Sequence, residues 1–155
     1  MENIVTTIGV VVAVSALVLS FLEYVKQGAQ KRAEHFITMR ERFKNNEKFQ
    51  KICNLLDTND EGLLEIKFEE KRDFLGFFEE VAIAMNSGII KPQVAHYMFG
   101  FYAIKCWESS KFWDGNDVNN EVDKKSKYWV VFKDFVQRME DIESSFIFER
   151  ENFRF

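Results

Sequence analysis

Proline occurs once and glycine seven times in 155 residues. Turn-rich all-β folds and low-complexity disordered chains need far more of both, so the composition points to helices. Cysteine is nearly as scarce. Cys53 and Cys106 each sit inside an apolar helical pattern, which fits reduced, buried thiols in a cytosolic compartment better than a disulfide framework. His35 and His96 are the only histidines, and Met39 and Gly100 occupy their i+4 positions. No Cys, Asp or Glu stands at helical ligand spacing from either, so no metal centre and no cofactor is expected. A Gly-rich phosphate loop, a nucleophile elbow and paired-Cys zinc spacing are also missing. Glu79 and Glu80 are adjacent carboxylates, the raw material of acid–base chemistry. Neighbours on a helix diverge by about 100°, however, and cannot converge on one substrate atom. A solvated helix edge is the simpler account of them, and the chain is read as non-enzymatic.

What the sequence does have is one long uncharged stretch. Asn3 to Leu22 contains no charged residue and is bracketed by Glu2 and Glu23. A helix of that length rises about 30 Å, the thickness of a bilayer's hydrocarbon core. A buried core helix this long would show a polar face, and this one offers only small hydroxyls. A secretory signal would carry a basic leader before its apolar run, and Met1-Glu2-Asn3 carries none. The stretch therefore reads as a single transmembrane helix over residues 3–22. Within it Thr6, Gly9, Ala13, Ala16 and Ser20 recur at spacings of 3, 4, 3 and 4. They share one stripe, where close backbone approach and hydroxyl hydrogen bonds support helix association in lipid. In the same register lie Glu23, Gln27 and Gln30, all polar. The expectation is a homo-oligomer joined through the span.

Charge sets the topology. Glu23 to Lys51 holds eight Lys/Arg against four acids, whereas Ile52 onward holds 13 bases and 20 acids. Positive charge after the span and none before it predicts an external N-terminus and a cytosolic C-terminal domain. The basic segment would lie against anionic lipid, and the acidic domain disfavours duplex nucleic acid as a partner.

Three segments follow: the span, a basic juxtamembrane helix over 23–45, and a cytosolic helical domain over 46–155. Asn45-Asn46 should break the chain and cap a helix near 47–56 with Phe49, Ile52, Cys53 and Leu56 inward. Asp57 to Gly62 reads as loop. A helix over about 69–86 places Phe74, Phe77, Phe78, Val81 and Met85 on one stripe. Gly88 should end it and Pro92 should open the next. Residues 92–113 read as one helix, apolar nearly all round. Asp114 to Lys125 is a polar loop, and a last helix runs about 126–143. The tail over 144–155 carries Phe146, Phe148, Phe153 and Phe155; a strand or a docking tail would suit it, with all four rings packed. Fold class is thus all-α: one span on a cytosolic bundle of four or five helices.

The one pattern that suits a ligand pairs cations with aromatics. Lys105, Trp107, Lys111 and Trp113 close the central helix, and Lys124, Lys125 and Lys127 close the loop after it. Tryptophan faces beside lysines can stack a base and meet a phosphate. Core tryptophans with snorkelling lysines would leave the same pattern.

The series Phe77-Phe78-Glu79-Glu80, Gly88-Ile89-Ile90, Trp107, Tyr128-Trp129 and Phe135 resembles a family of short bacterial membrane-anchored proteins of unknown function. The likeness covers about residues 36–142 and its motifs are packing motifs, so it implies architecture and no activity. In size and layout the chain is also similar to CRISPR-associated membrane effectors gated by cyclic oligoadenylate, though no residue carries over. That likeness implies a signal-gated effector whose cytosolic domain binds a cyclic oligonucleotide and whose oligomerised span perturbs the membrane in anti-phage defence. The alternative is a membrane-tethered helical module that recruits another protein.

Overall fold

A computed structural model of the chain describes residues 2–114, 127–145 and 147–153, with side chains described from residue 12 onward. The apolar stretch and the basic segment after it form one uninterrupted helix, α1 (Glu2–Asn45). Nothing in the sequence between them breaks a helix, since proline is absent there and the junction is rich in Lys, Gln and Ala. Residues 12–27 are exposed throughout. Burial begins one turn later and follows helical spacing: Phe36 is half-buried, and Met39 and Phe43 are buried. The C-terminal end of α1 is therefore part of the core.

Asn46 stops α1 and caps α2 (Glu47–Thr58): its Oδ1 accepts from the backbone N–H groups of Lys48 and Phe49 at 3.0 and 3.2 Å. This satisfies two of the donors a helix start leaves orphaned. Phe49, Ile52, Cys53 and Leu56 all face inward as the spacing predicts. The helix runs further than expected, to Thr58, and Asn59 then takes the left-handed conformation at φ 48°. A 3-10 turn (Glu61–Glu65) follows and buries Leu63 completely.

Next comes α3 (Phe68–Asn86), whose predicted stripe of Phe74, Phe77, Phe78, Val81 and Met85 is buried in full. Gly88 at φ +69° ends it, a conformation that a Cβ would strain. Pro92 then opens α4 (Pro92–Ala95) at the first helical position.

The central helix differs from expectation. It is not one α-helix over 92–113. After α4 comes a π turn (His96–Gly100), then α5 (Phe101–Glu108), a break at Ser109, and α6 (Ser110–Trp113). The physical reason for the break is local: the Ser109 hydroxyl accepts from the Phe112 N–H at 3.2 Å, a helix-starting hydrogen bond that competes with continuation. At the π turn Gly100 permits close approach, for a Cβ there would meet His96 Cδ2 at 2.9 Å and Met139 Sδ at 3.4 Å. The segment is also less enclosed than its composition implies, since Tyr97 and Phe101 remain exposed.

A 3-10 turn (Lys127–Trp129) leads into α7 (Val130–Ser144), which packs on α3 through Phe132, Phe135, Val136 and Met139. In the tail, where the sequence suits either a strand or a docking tail, a 3-10 turn (Arg150–Phe153) forms. Phe153 packs against Tyr97 at 5.5 Å between ring centroids, and Phe148 stacks on Phe153 at 5.1 Å while its outer side stays exposed. Phe146 and Phe155 lie outside the described residues. The described residues contain helices and turns and no strand, and the fold is all-α.

Phenylalanine holds the bundle together. Phe43 from α1 lies among Phe49, Phe74, Phe77, Phe78 and Phe99, with centroids 5.0 to 6.2 Å apart. Beyond their buried area, such offset and edge-on pairs each add about 0.5–1.5 kcal/mol. The C-terminal end of α1 is thereby locked into the core of the bundle.

Candidate functional site

The cation–aromatic group lies where the C-terminal end of α2 meets α5 and α6. Helical spacing brings Tyr102 and Lys105 to the same corner of α2. The Tyr102 hydroxyl donates to Asp57 Oδ2 at 3.1 Å, and Lys105 Nζ donates to Asp57 Oδ1 at 3.0 Å. Burial, and then the Asp57 carboxylate, push the Tyr102 phenol up to about 12, so it stays protonated and donating. Lys105 also covers the Phe101 ring at 4.6 Å. Six residues on, in α6, Lys111 Nζ donates to the Asn59 backbone carbonyl at 2.8 Å. Both cations thus sit at the negative end of α2, where a helix leaves its last carbonyls unpaired. Lys105 lines a depression of about 250 Å³ with Leu56, Asn59, Glu108, Ser109 and Ser110.

The tryptophans are engaged with one another. Trp107 and Trp113 meet edge to face at 5.6 Å, and both contact Phe132, at 6.1 and 6.3 Å. Trp113 is buried and its indole N–H donates to the Cys106 carbonyl at 2.9 Å. Trp113, being buried, offers no open face to a base, and Trp107 is half-buried against the same core. Lys127 lies over the exposed Tyr128 ring at 5.9 Å. Lys124 and Lys125 lie outside the described residues. The corner therefore gathers Lys105 and Lys111, and it leaves the tryptophans in the core.

Along α1, Ala13, Ala16 and Ser20 are exposed. Thr6 and Gly9 belong to the same helix, in the part whose side chains lie outside the described residues.

Three groups escaped sequence reasoning. Lys71 is buried on the inner stripe of α3, its Nζ 5.4 Å from the Phe112 ring centre. Burial lowers its pKa, and the neighbouring Cys106 and Asp114 act in the opposite direction. The signal was present, since Lys71 stands three residues before Phe74 and so on the same stripe. Asp57, read as loop, is the acceptor for two side chains. Glu79 is half-buried rather than a solvated edge, with Oε1 enclosed and lacking a hydrogen-bond partner among the described residues. Burial raises its pKa, and a hydrogen bond with the Phe132 backbone in the first turn of α7 partly offsets this. Glu80 beside it is exposed and pairs with Arg42 of α1. The two carboxylates diverge as helical geometry requires. Cys53 is held up to about 12 by burial, then by Asp57, and is inert as a thiolate nucleophile. Among the described residues no cluster of His, Cys, Asp and Glu could hold a metal ion.

The apolar half of α1 and the buried-phenylalanine bundle behind it fall inside one known family. A family model, a domain of unknown function (DUF4760), matches residues 3–139, and the chain belongs to that family. The match extends through the apolar helix as well as the bundle. No curated protein and no solved structure matches the chain.

Proposed function

We propose that this protein is a membrane-tethered, non-enzymatic helical module. Its span is residues 3–22 of α1, its N-terminus is outside, and its bundle is on the cytosolic face of a bacterial inner membrane. One observation carries this reading: a single helix is exposed and apolar over residues 12–22 and buried at Met39 and Phe43. Seven exposed apolar side chains between Val12 and Leu22 would be a large liability in water. In a bilayer they meet lipid. The excess of basic residues between Glu23 and Lys51 supports the orientation. The cytosolic surface would then recruit another macromolecule at a fixed height above the membrane. The test is a pair of C-terminal reporter fusions, one active only in the cytosol and one only in the periplasm. Activity of the first alone is expected, and activity of the second alone would reverse the orientation.

A second reading is a signal-gated effector, in which a homo-oligomer binds an anionic signal, cyclic oligoadenylate in the first instance, and the span responds. Two features favour it. No break in α1 separates the span from Phe43, so a shift in the bundle would turn the span directly. The stripe of Thr6, Gly9, Ala13, Ala16 and Ser20 also lies about 140° round the helix from Phe36, Met39 and Phe43, at 100° per residue. A partner helix could approach it without meeting the bundle. The signal would bind at Lys105 and Lys111 beside their depression, with Lys124, Lys125 and Lys127. Native mass in detergent, with and without cyclic oligoadenylate, separates the readings. Binding that Lys111→Glu with Lys124→Glu abolishes favours the effector, and no binding to the parent leaves the tether.

A further inference from the structure

We propose that α1 carries a site for the phosphate of an anionic phospholipid headgroup, built on Gly28 just beyond the span. The proposal rests on the membrane reading given above. Tyr24, Gly28, Lys31 and Arg32 stand at i, i+4, i+7 and i+8, on one side of α1. With Val25 and Gln27 they line a notch of about 340 Å³.

Depth decides whether lipid can reach it. Gly28 lies six residues past Leu22, about 9 Å along the axis, just outside a headgroup layer about 5–8 Å thick on each face. The Cα of Arg32, ten residues past Leu22, lies about 15 Å out, beyond that layer. Side chains on a helix lean toward its N-terminus, however, and here that direction is the bilayer. The structure shows the reach: a Cβ added at Gly28 would lie 3.4 Å from Arg32 Nη1. The guanidinium therefore rests back over Gly28, at the outer edge of the headgroups, in space that a side chain longer than alanine at position 28 would fill. Among the described residues neither Lys31 nor Arg32 forms an ion pair with a carboxylate. Both charges remain available to an oxyanion from outside the chain. The Arg32 fork and a tyrosine at the interface match the needs of a phosphodiester at a lipid surface, and Lys31, about 100° round the helix at the other edge of the notch, adds positive charge without having to meet the same oxygen.

The experiment uses the full chain. Membranes are first washed with carbonate; a chain washed off overturns the tether itself. The retained protein, in a neutral detergent, is titrated with phosphatidylglycerol and separately with phosphatidylcholine, and bound lipid is counted by native mass spectrometry. The parent is expected to retain phosphatidylglycerol preferentially. Arg32→Gln should weaken that retention roughly fivefold, the worth of one cation at an anionic surface. Gly28→Leu should do the same by displacing the guanidinium, while keeping every charge and favouring the helix. Lys44→Gln and Lys51→Gln, in the same basic segment but farther out, should change nothing. A parent without preference overturns the site, as does equal loss in the Lys44 and Lys51 variants. Inorganic phosphate or soluble glycerophosphate competing as well as the lipid would make it a soluble-anion site and overturn the lipid assignment.

Discussion

The two ends of α1 are made of similar residues and live in opposite surroundings. Phe21 is 63% exposed, while Phe43, on the same helix, is 8% exposed and touches a ring of other phenylalanines. Hydrophobicity alone does not separate them. What separates them is period. The stretch around Phe21 is apolar on every side apart from small hydroxyls, so no single face can be hidden by one neighbour. Around Phe43 the apolar residues recur every three or four positions and Arg40, Arg42 and Lys44 fill the gaps, so one face buries and the other stays wet. An all-round apolar helix calls for a solvent that is itself apolar, and a striped one calls for a core.

The largest effect that would break this comparison comes from removing residues 2–22. The truncated chain is expected to leave the membrane fraction entirely and stay soluble, because the remaining core closes without them. A truncated chain that precipitates or stays in the membrane pellet would mean that the first half of α1 belongs to the fold.

Next in size is a pair of phenylalanine substitutions. Phe78, fully buried against Phe74, Phe132 and Phe135, should cost about 3–5 kcal/mol when replaced by alanine. Phe21→Ala should leave unfolding of the bundle within about 0.5 kcal/mol of the parent. Denaturant melts of both variants in detergent check this, and similar losses for the two would erase the distinction between the ends of the chain.

A smaller effect tests how α1 hands over to the bundle. Asn46→Ala removes the acceptor for Lys48 and Phe49 and should cost about 1 kcal/mol, the usual worth of such a cap. A thermal melt that does not shift would show that the turn is held by Gln50, whose side chain donates to the Phe43 carbonyl at 3.0 Å, rather than by Asn46.

Most of the fold was legible because its signals are local. Asn46, Gly88 and Pro92 act through their own backbone chemistry, and the stripes of α2 and α3 follow from spacing. The central segment was not, because its π turn and its break at Ser109 depend on a hydroxyl's choice between two neighbours and on how closely His96, Gly100 and Met139 approach. The candidate site was legible as a cluster of residue types and not as a geometry. That Lys105 and Lys111 turn toward α2 could not be read before Asp57 and Asn59 were known to end a helix there. Lys71 was hidden because a charged residue on an inner stripe looks like an interruption of it.

The smallest predicted effect concerns Glu79, the half-buried counterpart of the exposed Glu80. Burial raises its pKa above the ordinary 4.5, and the hydrogen bond with Phe132 recovers only part of that shift. A carboxyl with a raised folded-state pKa binds its proton more tightly folded than unfolded. Its contribution to stability therefore grows as pH falls through the folded-state value and levels off below 4.5. Glu79→Gln keeps an acceptor for Phe132 and cannot ionise, so every other carboxylate cancels when variant and parent are compared. Between neutral pH and about 4.5 the parent should gain stability relative to the variant as acid is added, whatever their order at neutral pH. Denaturant midpoints for both chains at several pH values in that window check the sign. A difference that stays flat, or moves the other way, would mean that Glu79 is as well solvated as Glu80 and that α3 and α7 close without enclosing a carboxyl between them.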